Sequence, residues 1–148
     1  VAVLDVPLIG PSKIASRTND THITVEILSD TQNYNGGTLK RVNVQMDNGG
    51  DGEYLDIIGP DETCVDTIFT ISDNIVAGRT YQFRYRIMNE NGWSDFSPVT
   101  TVTAASTPSS PPKPSLVSAT ASQISLAFSR PDYNGGASIT KYELYIND

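Results

Sequence analysis

The sequence predicts an all-β chain, and three observations carry that expectation. Apolar and polar residues alternate with period two in short runs, turn-forming residues separate the runs, and no stretch reads as a long helix. His22-Ile23-Thr24-Val25-Glu26-Ile27-Leu28 alternates as a half-buried strand does, and so does Arg41-Val42-Asn43-Val44-Gln45-Met46. Tyr81-Gln82-Phe83-Arg84-Tyr85-Arg86-Ile87 follows the same rule, with its odd positions apolar. Asn-Gly, Gly-Gly and Asp-Gly pairs lie between the runs, and these residues accept the positive φ of tight turns. Short strands with frequent turns point to a sandwich or a barrel.

A length of 148 residues suits one domain or two small ones. Hydrophobic residues make up 38%, enough for a packed core. No apolar run approaches the roughly 20 residues of a membrane-spanning helix, so no membrane contact is expected within the segment. The opening stretch from Val1 to Pro7 is short and carries an acid, unlike a signal peptide. With Val1 where a methionine would start translation, the chain reads as an excerpt of a longer protein, whose destination stays open. The net charge is −7, with 10 basic residues against 17 acids and no basic run, so nucleic acid is not an expected partner. Cys64 stands alone, so no disulfide forms within the segment.

An internal repeat sets the organisation. Asn33-Tyr34-Asn35-Gly36-Gly37 recurs as Asp132-Tyr133-Asn134-Gly135-Gly136, and Tyr34 and Tyr133 stand 99 residues apart. Ile23-Thr24-Val25-Glu26-Ile27 precedes the first copy and Ile124-Ser125-Leu126-Ala127-Phe128 the second; strands led by Val42 and Tyr142 are expected after them. A period near one hundred residues is the size of a domain. The stretch Thr107-Pro108-Ser109-Ser110-Pro111-Pro112-Lys113-Pro114 reads as a semi-rigid proline-rich linker. The expected plan is the last strand of a preceding repeat at 1–8, a complete domain at 9–106, a linker at 107–114, and the first strands, A to C, of a following domain at 115–148.

Ile75-Val76-Ala77-Gly78-Arg79-Thr80-Tyr81 carries the most specific signature, an aliphatic residue six positions before a tyrosine. Asn89-Glu90-Asn91-Gly92-Trp93-Ser94 follows as a turn, and a Gly-Gly pair precedes each expected third strand. On these motifs the stretch 9–106 resembles a fibronectin type III domain over its whole length. The resemblance implies tandem immunoglobulin-like β-sandwiches, with Tyr81 as the corner tyrosine whose hydroxyl bonds back to the backbone just upstream. One departure is plain. The family usually places a tryptophan near the end of strand B, where this chain has Ile27 and Phe128.

Catalysis fails on inventory. The chain holds one histidine, His22, and no Gly-x-Ser-x-Gly, His-Glu-x-x-His or phosphate-loop motif, so neither an enzyme nor a cofactor is expected. Asp47-Asn48-Gly49-Gly50-Asp51-Gly52-Glu53 has acids that suit a hard cation, but Gly49 and Ile58 stand where an EF-hand needs oxygen ligands. A glycine-rich hairpin turn is the simpler reading, with no metal. Asn19-Asp20-Thr21 is an N-glycosylation acceptor in an expected turn. Cys64 has Asp61, Glu62 and Asp66 near it and no base, surroundings that disfavour a reactive thiolate.

Trp93-Ser94-Asp95-Phe96-Ser97 resembles the tryptophan-serine box of cytokine-receptor fibronectin domains, with Phe96 in place of the second tryptophan. That resemblance implies stacking on strand F arginines. Alternation sends Arg84 and Arg86 to one outward face, with Arg41 joining from strand C and the Trp93 ring fitting between the two. The expected function is a structural or adhesive spacer array outside the cell, its partners being proteins, among them neighbouring repeats in self-assembly. The alternative is a ligand-binding receptor module.

Overall fold

The computed structural model describes residues 9–27, 38–50 and 52–147. The first copy of the repeated motif, at 33–37, and the expected terminal strand at 1–8 lie outside these residues. Ten strands are described: β1 Ser12–Lys13, β2 Ile23–Glu26, β3 Arg41–Asp47, β4 Tyr54–Ile58, β5 Ile68–Ile71, β6 Thr80–Asn89, β7 Gly92–Trp93, β8 Thr100–Thr103, β9 Ser115–Ala119 and β10 Ile124–Ala127. A single 3-10 turn at Ala15–Arg17 is the helical piece among the described residues.

Two antiparallel sheets face each other. One has the order β1-β2-β5; the other runs β4-β3-β6-β7, with β8 also paired to β6. Alternation decides what each face buries. Val42, Val44 and Met46 of β3 turn inward, as do Tyr81, Phe83, Tyr85 and Ile87 of β6. Ile23, Val25 and Ile27 meet them from the β2 segment, Phe69 and Ile71 from β5, and Val102 and Ala104 close the end. Each valine, isoleucine, methionine and phenylalanine among them contributes about 1.5–3 kcal/mol when fully buried. Together they form one core between the sheets. The alternating runs read from sequence map onto β2, β3 and β6. β6 is longer than its run at both ends, and β2 stops at Glu26, although the Ile27 amide still donates to the Thr67 carbonyl at 2.8 Å.

Tyr81 ties the loop that precedes β6 to the core. Its hydroxyl donates to the Asn74 carbonyl at 3.0 Å and accepts from the Val76 amide at 2.8 Å. The side chain itself is almost fully buried, so its hydroxyl needs these partners.

Beyond the linker the chain behaves differently. β9 and β10 pair antiparallel, but Leu116, Val117, Ile124 and Leu126 all remain exposed. The strand expected from Tyr142 onward does not form, because no other described segment offers that stretch a ladder of hydrogen bonds. Tyr142 packs its ring on Phe128 instead, with centroids 5.4 Å apart. Phe128 is 57% exposed, whereas Ile27, its counterpart one repeat earlier, is 2% exposed.

Replacing Tyr81 by Phe removes both hydrogen bonds that tie the loop down. The expected loss is about 1–3 kcal/mol, that of two hydrogen bonds at about 0.5–1.5 kcal/mol each. It would be read as a lower urea midpoint at unchanged slope; an unshifted midpoint contradicts the assignment.

Candidate functional site

The outer face of the larger sheet carries the chain's main cluster of charged and aromatic side chains. β6 presents Arg84 and Arg86 there, opposite Gln45 and Asn43 of β3 in the strand register. Each guanidinium is held by its own neighbour. Arg84 Nε donates to Gln45 Oε1 at 2.9 Å, and Arg86 Nε donates to Asn43 Oδ1 at 3.0 Å. Those amides are fixed in turn from β4. Asp56 Oδ1 accepts from Asn43 Nδ2 at 2.7 Å and from Gln45 Nε2 at 3.0 Å, and Asn43 Nδ2 also reaches the Ile58 carbonyl at 2.7 Å. Rows of polar side chains thus run across three strands and orient both guanidinium planes.

Aromatic rings fill the faces so presented. Arg84 lies 3.8 Å from the Tyr54 ring centroid and 4.2 Å from that of Phe96. Arg86 lies 4.8 Å from the Phe96 centroid and 4.9 Å from that of Trp93. The sequence of contacts is Tyr54, Arg84, Phe96, Arg86, Trp93. Phe96, not Trp93, is therefore the ring shared by both arginines. The strand register gives the reason: Trp93 pairs with Met88, two positions past Arg86 on the same face, and only the later ring comes level with the gap. Arg41 does not join the stack; its Nη1 donates to the Pro60 carbonyl at 3.2 Å.

Two serines make this placement possible. Between β7 and β8 the last strand leaves regular pairing, yet β6 stays bonded. The Ser94 amide donates to the Ile87 carbonyl at 2.9 Å, and the Ser94 hydroxyl accepts from the Ile87 amide at 3.2 Å. The Ser97 amide donates to the Tyr85 carbonyl at 2.8 Å, and its hydroxyl accepts from the Tyr85 amide at 3.1 Å. Each hydroxyl acts as a strand carbonyl would, and then donates onward, to the Asp95 and Pro98 carbonyls respectively. The structural parts played by Ser94, Ser97, Asn43, Gln45, Asp56 and Tyr54 escaped the sequence reading. The three-residue spacing of the two serines and the polar outward positions of β3 were the available signals.

The remaining candidates have local roles. Asn19 Oδ1 accepts from the Thr21 amide at 2.8 Å, the Thr21 hydroxyl at 2.9 Å and the His22 amide at 2.9 Å. His22 Nε2 lies 3.3 Å from Asn19 Nδ2, inside the same turn. Asp47 is nearly buried, and its Oδ1 accepts from the Gln82 amide at 2.7 Å and the Gly49 amide at 3.2 Å. Its carboxylate closes a turn. Asp51 lies outside the described residues. Cys64 packs partly buried against the core, its thiol 3.7 Å from Asp66 Oδ2.

The shared ring predicts a coupling. A double-mutant cycle of Phe96→Ala with Arg84→Ala should show an interaction of at least about 0.5 kcal/mol, the size of an exposed cation–π contact. Trp93→Ala with Arg84→Ala should add within about 0.3–0.5 kcal/mol. The reverse pattern would contradict the contact order. Ser97→Ala leaves the Tyr85 amide without its acceptor and should cost about 1–3 kcal/mol by urea unfolding, whereas an unshifted midpoint contradicts the bridging role.

No protein family model matches the chain, and neither does any curated protein. Solved structures do. A human fourth FNIII domain aligns with a TM-score of 0.57 at 20% identity, covering 74% of this chain and 87% of that one. The sixth fibronectin type III domain of the human fibronectin type III domain containing protein 3 aligns with a TM-score of 0.53 at 18% identity, covering 74% and 95%. A crystal structure of several titin domains aligns with a TM-score of 0.51 at 19% identity over 69% of this chain, which spans 33% of that structure. Two facing antiparallel sheets in this strand order, with these neighbours, establish that the chain has the fibronectin type III fold.

Proposed function

We propose that the chain is a segment of a structural and adhesive array of fibronectin type III-like repeats, serving as a spacer and a surface for protein association outside the cell. The domain plan inferred from the sequence repeat belongs to this reading: a complete sandwich at 9–106, a linker at 107–114 and the opening strands of a further repeat from 115. One observation carries it. A finished core is followed, past the proline-rich stretch, by a β-pair whose apolar side chains stand open. Such side chains are what a second sandwich would bury. In this reading the chain performs no chemistry. The outer-face arginines already have aromatic rings and amide oxygens as partners, which suits a brace for the sheet and gives the receptor alternative no free anchor.

The plan is tested by dividing the chain. Residues 9–106 alone should give dispersed amide shifts and a single cooperative unfolding transition. Residues 107–148 alone should give narrow shifts, because a few strands cannot cover both faces of a core. Dispersed shifts from the shorter piece would overturn the plan. Intact-mass measurement of the natively produced protein tests the compartment. Asn19 should carry a glycan, since its turn is not buried in the core. An unmodified Asn19 would favour an array inside the cell.

A further inference from the structure

The repeated Tyr-Asn-Gly-Gly motif has a specific place in the fold. In its second copy, residues 133–136 lie against one end of the sandwich, where Asp20, Ala77, Gly78 and Ser106 meet. Hydrogen bonds join the loop both to the sandwich end, at Ser106 and Asp20, and to the linker, at Ser109. The Ser106 amide donates to the Gly135 carbonyl at 2.8 Å, and the Ser109 amide donates to the Tyr133 carbonyl at 3.0 Å. The Tyr133 amide donates to the Ser109 hydroxyl at 3.1 Å, and the Tyr133 hydroxyl donates to Asp20 Oδ2. Ser106 fixes the Asp20 carboxylate from the other side, donating from its hydroxyl to Oδ1 at 2.8 Å and accepting from the Asp20 amide at 3.3 Å. Asp20 is thus tied both to the end of the domain, at Ser106, and to the loop, at Tyr133.

The glycines are required by how closely the backbones approach. A Cβ on Gly135 would stand 2.1 Å from the Ser106 carbonyl oxygen, and one on Gly78 would stand 2.5 Å from the Gly136 carbonyl oxygen. No side chain fits either distance. Gly78 and Gly135 also hold φ near +78° and +79°, so both the conformation and the space select glycine. Socket and loop each contribute one. Hydrogen bonding shifts the two titratable partners in consistent senses. The Tyr133 hydroxyl, and after it Ser106, hold the Asp20 carboxyl below its ordinary range, and Asp20 pushes the Tyr133 phenol above its own. The carboxylate stays charged and the phenol keeps its proton to donate.

We propose that this end of the sandwich is a socket for a Tyr-Asn-Gly-Gly loop, so that each repeat seats the loop of the next and their relative orientation is set by docking, not by the linker alone. The inference rests on the array reading and names its junction chemistry. The partner is another repeat, recognised by a tyrosine hydroxyl that reaches an aspartate and by a glycine pair without side chains. The same four residues recur in the sequence at 34–37, as expected if the loop is a repeated docking element. A proline-rich linker limits the path between units but leaves rotation about it free; the clasp removes that freedom.

The test uses the whole chain of 148 residues, labelled for NMR. In the native chain the Ser106 and Ser109 amides should exchange slowly, and β2–β8 and β9–β10 should share one alignment tensor in residual dipolar couplings. Gly135→Ala should speed exchange at both amides at least tenfold and shrink the couplings of β9 and β10 away from the shared tensor, with β3 and β6 unchanged. Tyr133→Phe, which adds no bulk, should speed exchange at the same amides by a smaller factor. Free-chain exchange at Ser106 and Ser109 in the native chain, or a Gly135→Ala chain with unchanged protection and one tensor, overturns the socket. Either result leaves the array reading standing, since that reading is decided by the divided chain.

Discussion

The structure depends on how β6 is held. Its inward residues, Tyr81, Phe83, Tyr85 and Ile87, supply the widest part of the core, and its outward residues, Arg84 and Arg86, anchor the aromatic stack. β3 pairs along one flank of β6 over six positions. The other flank is held by β7 and β8 at its two ends and by the Ser94 and Ser97 hydroxyls between them. Without those hydroxyls the middle of β6 would leave amides unsatisfied in the interior, where each costs more than an ordinary hydrogen bond contributes. The stack follows from the same detour. A regular last strand would alternate its residues past β6, whereas the irregular path from Trp93 to Ser97 brings Phe96 against both guanidinium groups.

How much of this was legible in the sequence differs from one element to the next. The alternating runs at β2, β3 and β6 were plain, because a half-buried strand must repeat with period two. Tyr81 was legible through the motif that leads to it. The order of rings in the stack was not, because it depends on the register of β7 and on two side-chain hydroxyls standing in for backbone. Asp47 lies in a run of acids whose type suits a hard cation though its spacing suits a hairpin turn, and its carboxylate accepts two backbone amides. Local pattern cannot distinguish those uses of an acid. The strand expected after Tyr142 shows the same limit from the other side, for β-propensity needs a partner before it becomes a strand.

The outer sheet face and the linker-side end of the sandwich are unlike in chemistry, and this bears on the array reading. The arginine stack braces one sheet with side chains that already satisfy each other. The end formed by Asp20, Ala77, Gly78 and Ser106 instead directs hydrogen-bonding groups and a bare backbone at the segment beyond the linker. A corner tyrosine fixes the loop that carries Gly78, so the core and the junction share one support. Changes that loosen this corner would reach the contact with the next unit as well as the fold itself.

Along β6, side-chain hydroxyls complete the sheet. Native-state hydrogen exchange tests it most directly, by comparing the Tyr85 and Ile87 amides with the slowest amides of β3. All should exchange only through global unfolding, with the same free energy and the same denaturant dependence. Exchange at Tyr85 and Ile87 through a local opening, at least tenfold faster than in β3 and insensitive to low denaturant, would contradict it.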